Sequence, residues 1–171
     1  IRAETRPDRD AVLGVLEEAA AACAASRERE GAALAAELRA RADALGVLLS
    51  RVAERAPERV VAERDRVQAA VQELAGGVAV DPGRLEQELA FLADRLDVTE
   101  ELVRFGTHLD ALRAALDGGG SVGRELGFVL QELLREANTM GSKANDAGIT
   151  QAVIAMKSEL DKLREQVENL E

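Results

Sequence analysis

Ile149-Thr-Gln-Ala-Val-Ile-Ala-Met-Lys-Ser-Glu-Leu-Asp-Lys-Leu-Arg-Glu-Gln-Val-Glu-Asn-Leu-Glu171 decides the fold class. Its apolar residues Ile149, Val153, Met156, Leu160, Leu163, Val167 and Leu170 alternate spacings of four and three throughout. A 3.5-residue period belongs to a helix whose apolar seam lies against another helix, and a strand cannot produce it. The partner is expected to be a helix of this chain or of a neighbouring copy, because so long a seam left bare is an aggregation liability. Asn145 or Asp146 is placed to cap this helix.

Immediately upstream, Val122, Leu126, Val129, Leu133, Ala137 and Met140 form a second inward stripe, and Gly141 is expected to stop that helix, leaving a break from Gly141 to Asp146. The other face carries Gln131, Arg135, Asn138 and Ser142 at the same spacing, with Glu132 and Glu136 one turn apart beside them. Two carboxylates at that spacing repel by a few tenths of a kcal/mol, so Arg135, a basic group on another helix or a divalent cation is expected to offset them.

Further upstream, Val98, Leu102, Phe105, Leu109, Leu112 and Leu116 make a stripe out of phase with Leu85, Leu89, Leu92 and Leu96. The slip falls at Asp97, where Asp97-Val-Thr-Glu100 has the spacing of a capping box, so a helix kinks or restarts there. Phe105 and Phe128 are assigned to core stripes and Phe91 to the edge of one. Gly118-Gly-Gly120 ends this helix. Gly76, Gly77 and Asp81-Pro-Gly83 form a linker in which Asp81 caps and Pro82 takes the first helical position.

The first helix opens at Pro7 and Asp8. Its stripe runs Leu13, Leu16, Ala20, Cys23, Arg27, Glu30, Leu34, with two charges where apolar residues are expected, and continues through Leu38, Leu45, Leu48, Leu49 and Val52. Pro57 is expected to kink or reverse the chain, so that Glu58 to Leu74 returns as a second helix. The expected fold is all-α, of long antiparallel helices with coiled-coil-like seams, in two parts: a long helical hairpin over 1–80 and a C-terminal helical domain over 81–171.

The totals agree. With 47% hydrophobic but only 2% aromatic residues in 171, the core must be Leu, Val and Ala. There is no run of eighteen apolar residues and no signal-peptide pattern, so neither a membrane span nor export is indicated. Cys23 stands alone, which excludes an internal disulfide and fits a reducing cytoplasm; within its alanine run it reads as a small core residue rather than a nucleophile. A net charge of -10 argues against a general grip on nucleic acid, so any such role needs local compensation. The last third differs from the rest: all three lysines, all three asparagines and both methionines lie there, in a chain that otherwise uses arginine.

Three segments carry a family resemblance: Gly123-Arg-Glu-Leu-Gly-Phe128, Gln131-Glu-Leu-Leu-Arg-Glu-Ala-Asn-Thr-Met-Gly-Ser-Lys143, and Met156 through Glu171. Together they resemble the C-terminal signature of the YicC/YloC family, bacterial metal-dependent endoribonucleases that assemble as hexamers. The likeness is dense from about Arg84 onward and thinner from Arg27 to Arg66. Asp97 through His108 also resembles a family segment. Members carry a further N-terminal region containing β-structure, so this chain, beginning at Ile1, is expected to be a C-terminal part.

The resemblance implies RNA as substrate, Mg²⁺ or Mn²⁺ as cofactor and a homo-oligomer, hexameric, as the assembly. Glu101, Arg104 and His108 can share one helix face, and His108 is the only imidazole available as acid or base. Glu101, Glu132 and Glu136 suit a hard divalent ion. Catalytic candidates are therefore His108, Glu101, Glu132, Glu136 and Arg135; RNA-binding candidates are Arg104, Arg124, Asn138 and Lys143. On the seams and acidity alone, a non-enzymatic helical scaffold is the competing expectation.

Overall fold

Each helix in the computed structural model, which describes residues 8–118 and 123–168, starts or stops where side-chain chemistry supplies the missing backbone partners. The elements are α1 (Arg9–Ala75), α2 (Pro82–Leu96), α3 (Thr99–Gly118), α4 (Gly123–Ala144) and α5 (Ala147–Glu168), and the described residues contain no strand. After α1, Gly76 and Gly77 take positive φ (53° and 91°), which L side chains rarely adopt. Asp81 then caps α2 by accepting from the Gly83 N–H at 2.9 Å, with Pro82 at the first helical position. At the next junction Asp97 accepts from the Thr99 N–H at 2.8 Å, and α3 restarts out of phase with α2, as the stripes require. Glu100 does not close a capping box there; its carboxylate turns to Arg104. Asp146 caps α5 by accepting from the Ile149 N–H at 3.0 Å.

The chain falls into two compact units, Ile1–Glu37 and Leu38–Glu171. Within the first, the expected stripe is open to solvent: Leu13, Leu16, Ala20 and Cys23 are exposed along with Arg27 and Glu30. Cys23 is thus no core residue. Pro7, Val122, Leu170 and the second and third glycines of Gly118-Gly-Gly120 lie outside the described residues.

The second unit holds the core. Arg113 meets Asp43 at 3.1 Å and Arg39 meets Asp117 at 2.9 Å, which sets α3 antiparallel to α1. Arg41 meets Glu159 at 3.0 Å and Arg55 meets Asp146 at 3.2 Å, which does the same for α5. α4 packs between α3 and α5. Its buried residues include Leu38, Ala42, Leu45, Leu48 and Val52 of α1, Phe105, Leu109 and Leu112 of α3, Leu126, Leu133 and Met140 of α4, and Ile149, Met156 and Leu163 of α5. The α5 seam finds its partner within the chain. No described helix is long and apolar enough to cross a membrane.

Two expected breaks do not occur. Pro57 lies inside α1, so the chain does not reverse there and 1–80 is not a hairpin folded at that proline. An interior proline costs about 3 kcal/mol, but the turns on both sides are fastened to other helices: Arg55 to Asp146, and Arg59 to the carbonyls of Leu96 (3.2 Å) and Lys143 (2.6 Å). Gly141 does not stop α4, which runs on to Ala144. A Cβ at Gly141 would lie 3.1 Å from Val153 Cγ1, so this glycine sits at a close approach of α4 to α5.

Candidate active site

α3 and α4 run antiparallel, and their facing turns place Asp97, Glu101, Arg104 and His108 opposite Lys143, Glu136 and Glu132. His108, Glu132 and Glu136 each offer a ligand atom, and these atoms lie within 4.8 Å of one another. Spacing explains the convergence: Glu132 and Glu136 are one α4 turn apart, and His108 comes from the turn of α3 that faces the gap between them. Glu136 is buried, with 6% of its side chain exposed, while the Glu132 side chain is 26% exposed and nearer the rim.

The charge that offsets the two carboxylates is partly in place. Arg104 Nη1 stands 3.9 Å from Glu136 Oε1, and Arg135 Nη1 stands 4.0 Å from Glu132 Oε2. Both are long, weak pairs, and both arginines are largely exposed. Arg104 also binds Glu100 on its own helix. A solvated guanidinium beside each carboxylate can exchange its weak partner for a phosphate.

Glu101 is not part of that convergence. It sits two turns before His108 on α3, buried, with Oε1 2.9 Å from Lys143 Nζ. Lys143 Nζ also donates to the Asp97 carbonyl at 2.8 Å. Glu101 Oε2 is buried with no hydrogen-bond partner among the described residues. Asn138 is exposed on α4, and Arg124 is exposed at its start, beside a groove between α4 and α5 rather than at this cluster.

One structural residue escaped the sequence reading. Arg59 is buried and holds the C-terminal carbonyls of both α2 and α4, where a cation is favoured by the helix dipole. Burial pushes its guanidinium below the usual value, opposed by Asp146 and Glu63. Nothing in Pro57-Glu58-Arg59 separates it from a surface arginine.

Comparisons with known proteins identify the family. Residues 52–171 match the family described as endoribonuclease YicC-like, C-terminal. The chain is 38% identical over 146 residues to a protein of Clostridioides difficile named probable endoribonuclease YicC, covering 85% of this chain and 50% of that protein. A Haemophilus influenzae protein of the same name is 38% identical over 147 residues, with 86% and 50% covered. The chain thus spans about half the length of these relatives. It belongs to the YicC-like endoribonuclease family and corresponds to its C-terminal part.

Proposed function

We propose that this chain is the active-site-bearing, oligomerising part of a metal-dependent endoribonuclease that hydrolyses phosphodiester bonds in RNA, assembled as a hexamer, with residues 81–171 carrying the chemistry. The convergence of His108, Glu132 and Glu136 within 4.8 Å across two helices supports it best. The donor set fits a divalent ion: one imidazole and two carboxylates suit Mn²⁺ better than Mg²⁺, which prefers oxygen ligands alone. Such an ion would polarise a phosphoryl oxygen and make water a better nucleophile at neutral pH.

The remaining work falls to the chain. Buried Glu136 and half-buried His108 hold fixed positions between packed helices, so the site is organised before substrate arrives. Glu132 is the more exposed of the two carboxylates, which leaves it the nearer of the two to an incoming phosphate and water. Arg104 from α3 and Arg135 from α4 neutralise the phosphate. Glu101 and Lys143 pair with each other at 2.9 Å and join the two helices beyond the cluster.

Glu132→Gln combined with Glu136→Gln, made in a full-length relative carrying these helices, should abolish metal-stimulated RNA cleavage. Glutamine preserves size and helix propensity, and it removes the repulsion at i, i+4, so the melting temperature should hold or rise. Cleavage across a Mn²⁺ titration beside a thermal melt reads both. Unchanged cleavage would place the chemistry elsewhere.

A further inference from the structure

Phe128 is 62% exposed in a chain with three aromatic residues, although Leu126, Val129 and Leu130 beside it on α4 are buried. It stands on the wall of a groove of about 950 Å³ between α4 and α5, with Arg124 and Gln131 on the same helix and Arg164 across from them. We propose that this groove is a single-stranded RNA subsite, in which one base stacks on the Phe128 ring and the adjoining phosphate is held by Arg124. The proposal rests on the endoribonuclease reading and deepens it.

Four observations favour a nucleotide over an apolar partner helix. The volume suits a small-molecule-sized group. Over an aliphatic base of Leu130, Leu134, Leu160 and Val167, the lining sets one ring beside two arginines and an amide, the combination that sequence-tolerant single-strand binders use: stacking for the base and cations for the backbone. Arg164 pairs with Glu168 on its own exposed helix face at 3.1 Å, a partner that a phosphate can readily replace. Finally, Phe128 and Glu132 lie one turn apart on α4, about 6 Å along the axis. A strand crossing that ridge passes from the groove toward the His108, Glu132 and Glu136 cluster. Asp161 and Glu168 also line the groove, which limits it to a single phosphate rather than a continuous backbone track.

The test uses a fluorescein-labelled single-stranded RNA and an abasic strand of equal length, titrated with the chain in EDTA so that binding is read without cleavage. Phe128→Ala should weaken binding of the normal strand by roughly 5- to 150-fold, the span of one base–aromatic stack, and leave the abasic strand unaffected. Phe128→Tyr should keep wild-type affinity, and Arg124→Ala should weaken both strands. Phe128→Leu, which keeps apolar bulk without the ring, should behave as the alanine variant does and carries the test if alanine impairs folding. Equal affinity of wild type and Phe128→Leu overturns the subsite, as does an equal loss on both strands. A drop in self-association with RNA affinity unchanged assigns the groove to a second copy and overturns it too. Failure of the wild-type chain to bind either strand removes RNA recognition from this chain altogether. Loss of cleavage with retained binding in Glu132→Gln with Glu136→Gln separates the subsite from the cleavage cluster.

Discussion

Glu101 and Lys143 show what a side chain's partner decides that its identity cannot. In sequence Glu101 is one more carboxylate on the His108 face, and Lys143 a rare lysine near a glycine. In space they hold each other at 2.9 Å, and Lys143 ties the pair to the Asp97 carbonyl at the α2–α3 junction. Lys143→Met leaves a buried carboxylate without its cation, a change that costs about 3–5 kcal/mol when the pair is fully buried and less here because Lys143 is a third exposed. Glu101→Gln keeps an acceptor for Lys143 and should cost less. Urea denaturation should rank them in that order, with Mn²⁺ affinity by calorimetry unchanged in Glu101→Gln; a lost metal site in that variant would return Glu101 to the ligand set. Phe128 is the opposite case. It was legible: two residues past Leu126 is about 200° round the helix, on the face away from the stripe. Its aromatic identity drew it into the core by expectation, against its own position.

At the scale of elements, periodicity located the helices and the caps, but breaker residues misled. Asp81, Asp97 and Asp146 act where their chemistry puts them, because an N-terminal N–H needs an acceptor whatever the tertiary context. Pro57 and Gly141 have their local effects overridden by neighbours: anchors on both sides of one, close approach of Val153 to the other. Gly141→Leu should therefore destabilise the protein by about 1–3 kcal/mol through overpacking, although leucine is the better helix former. A glycine that merely ended a helix would tolerate it, and a melt distinguishes the two. Asp146 carries a pH signature. The hydrogen bond from the Ile149 N–H holds its carboxyl below the usual aspartate range, opposed by burial and reinforced by Arg55. A depressed folded-state pKa means the stabilisation is complete above the ordinary aspartate value and disappears as pH falls through the folded one. Asp146→Ala should thus lose about 0.5–2 kcal/mol at neutral pH, and its urea midpoint should converge on that of the wild type toward about pH 2. A constant difference across that range would assign the loss to packing.

Across the whole molecule, the stripes told which face of each helix is apolar but not which helix covers it. The early stripe of α1 and the α5 seam look alike in sequence, as runs at helical spacing. Only one of them is buried. Ile149, Val153, Met156, Leu160, Leu163 and Val167 are all closed off within the second unit, whereas Leu13 and Leu16 stay open in the first. A periodicity records the presence of a partner somewhere, and the partner's position depends on loop lengths and on pairs such as Arg41 with Glu159 that connect residues over a hundred positions apart. The cluster of His108 with Glu132 and Glu136 was half legible for the same reason: each helix face could be drawn, but their mutual register could not. These differences give a two-sided test. Deleting residues 149–171 uncovers the α4 residues that α5 buries and removes the cap at Asp146 from its helix, so the truncated chain should lose its cooperative melt and bind a hydrophobic dye. Deleting residues 1–37 takes away a unit whose described apolar residues are mostly exposed already, so the remaining chain should keep its melting temperature within a few degrees, since little buried area is lost. It should also keep the Mn²⁺ affinity proposed above, because every member of the cluster lies in the second unit. An equal loss from both truncations would mean that the first unit, through an assembly of several copies, contributes to the stability of the second.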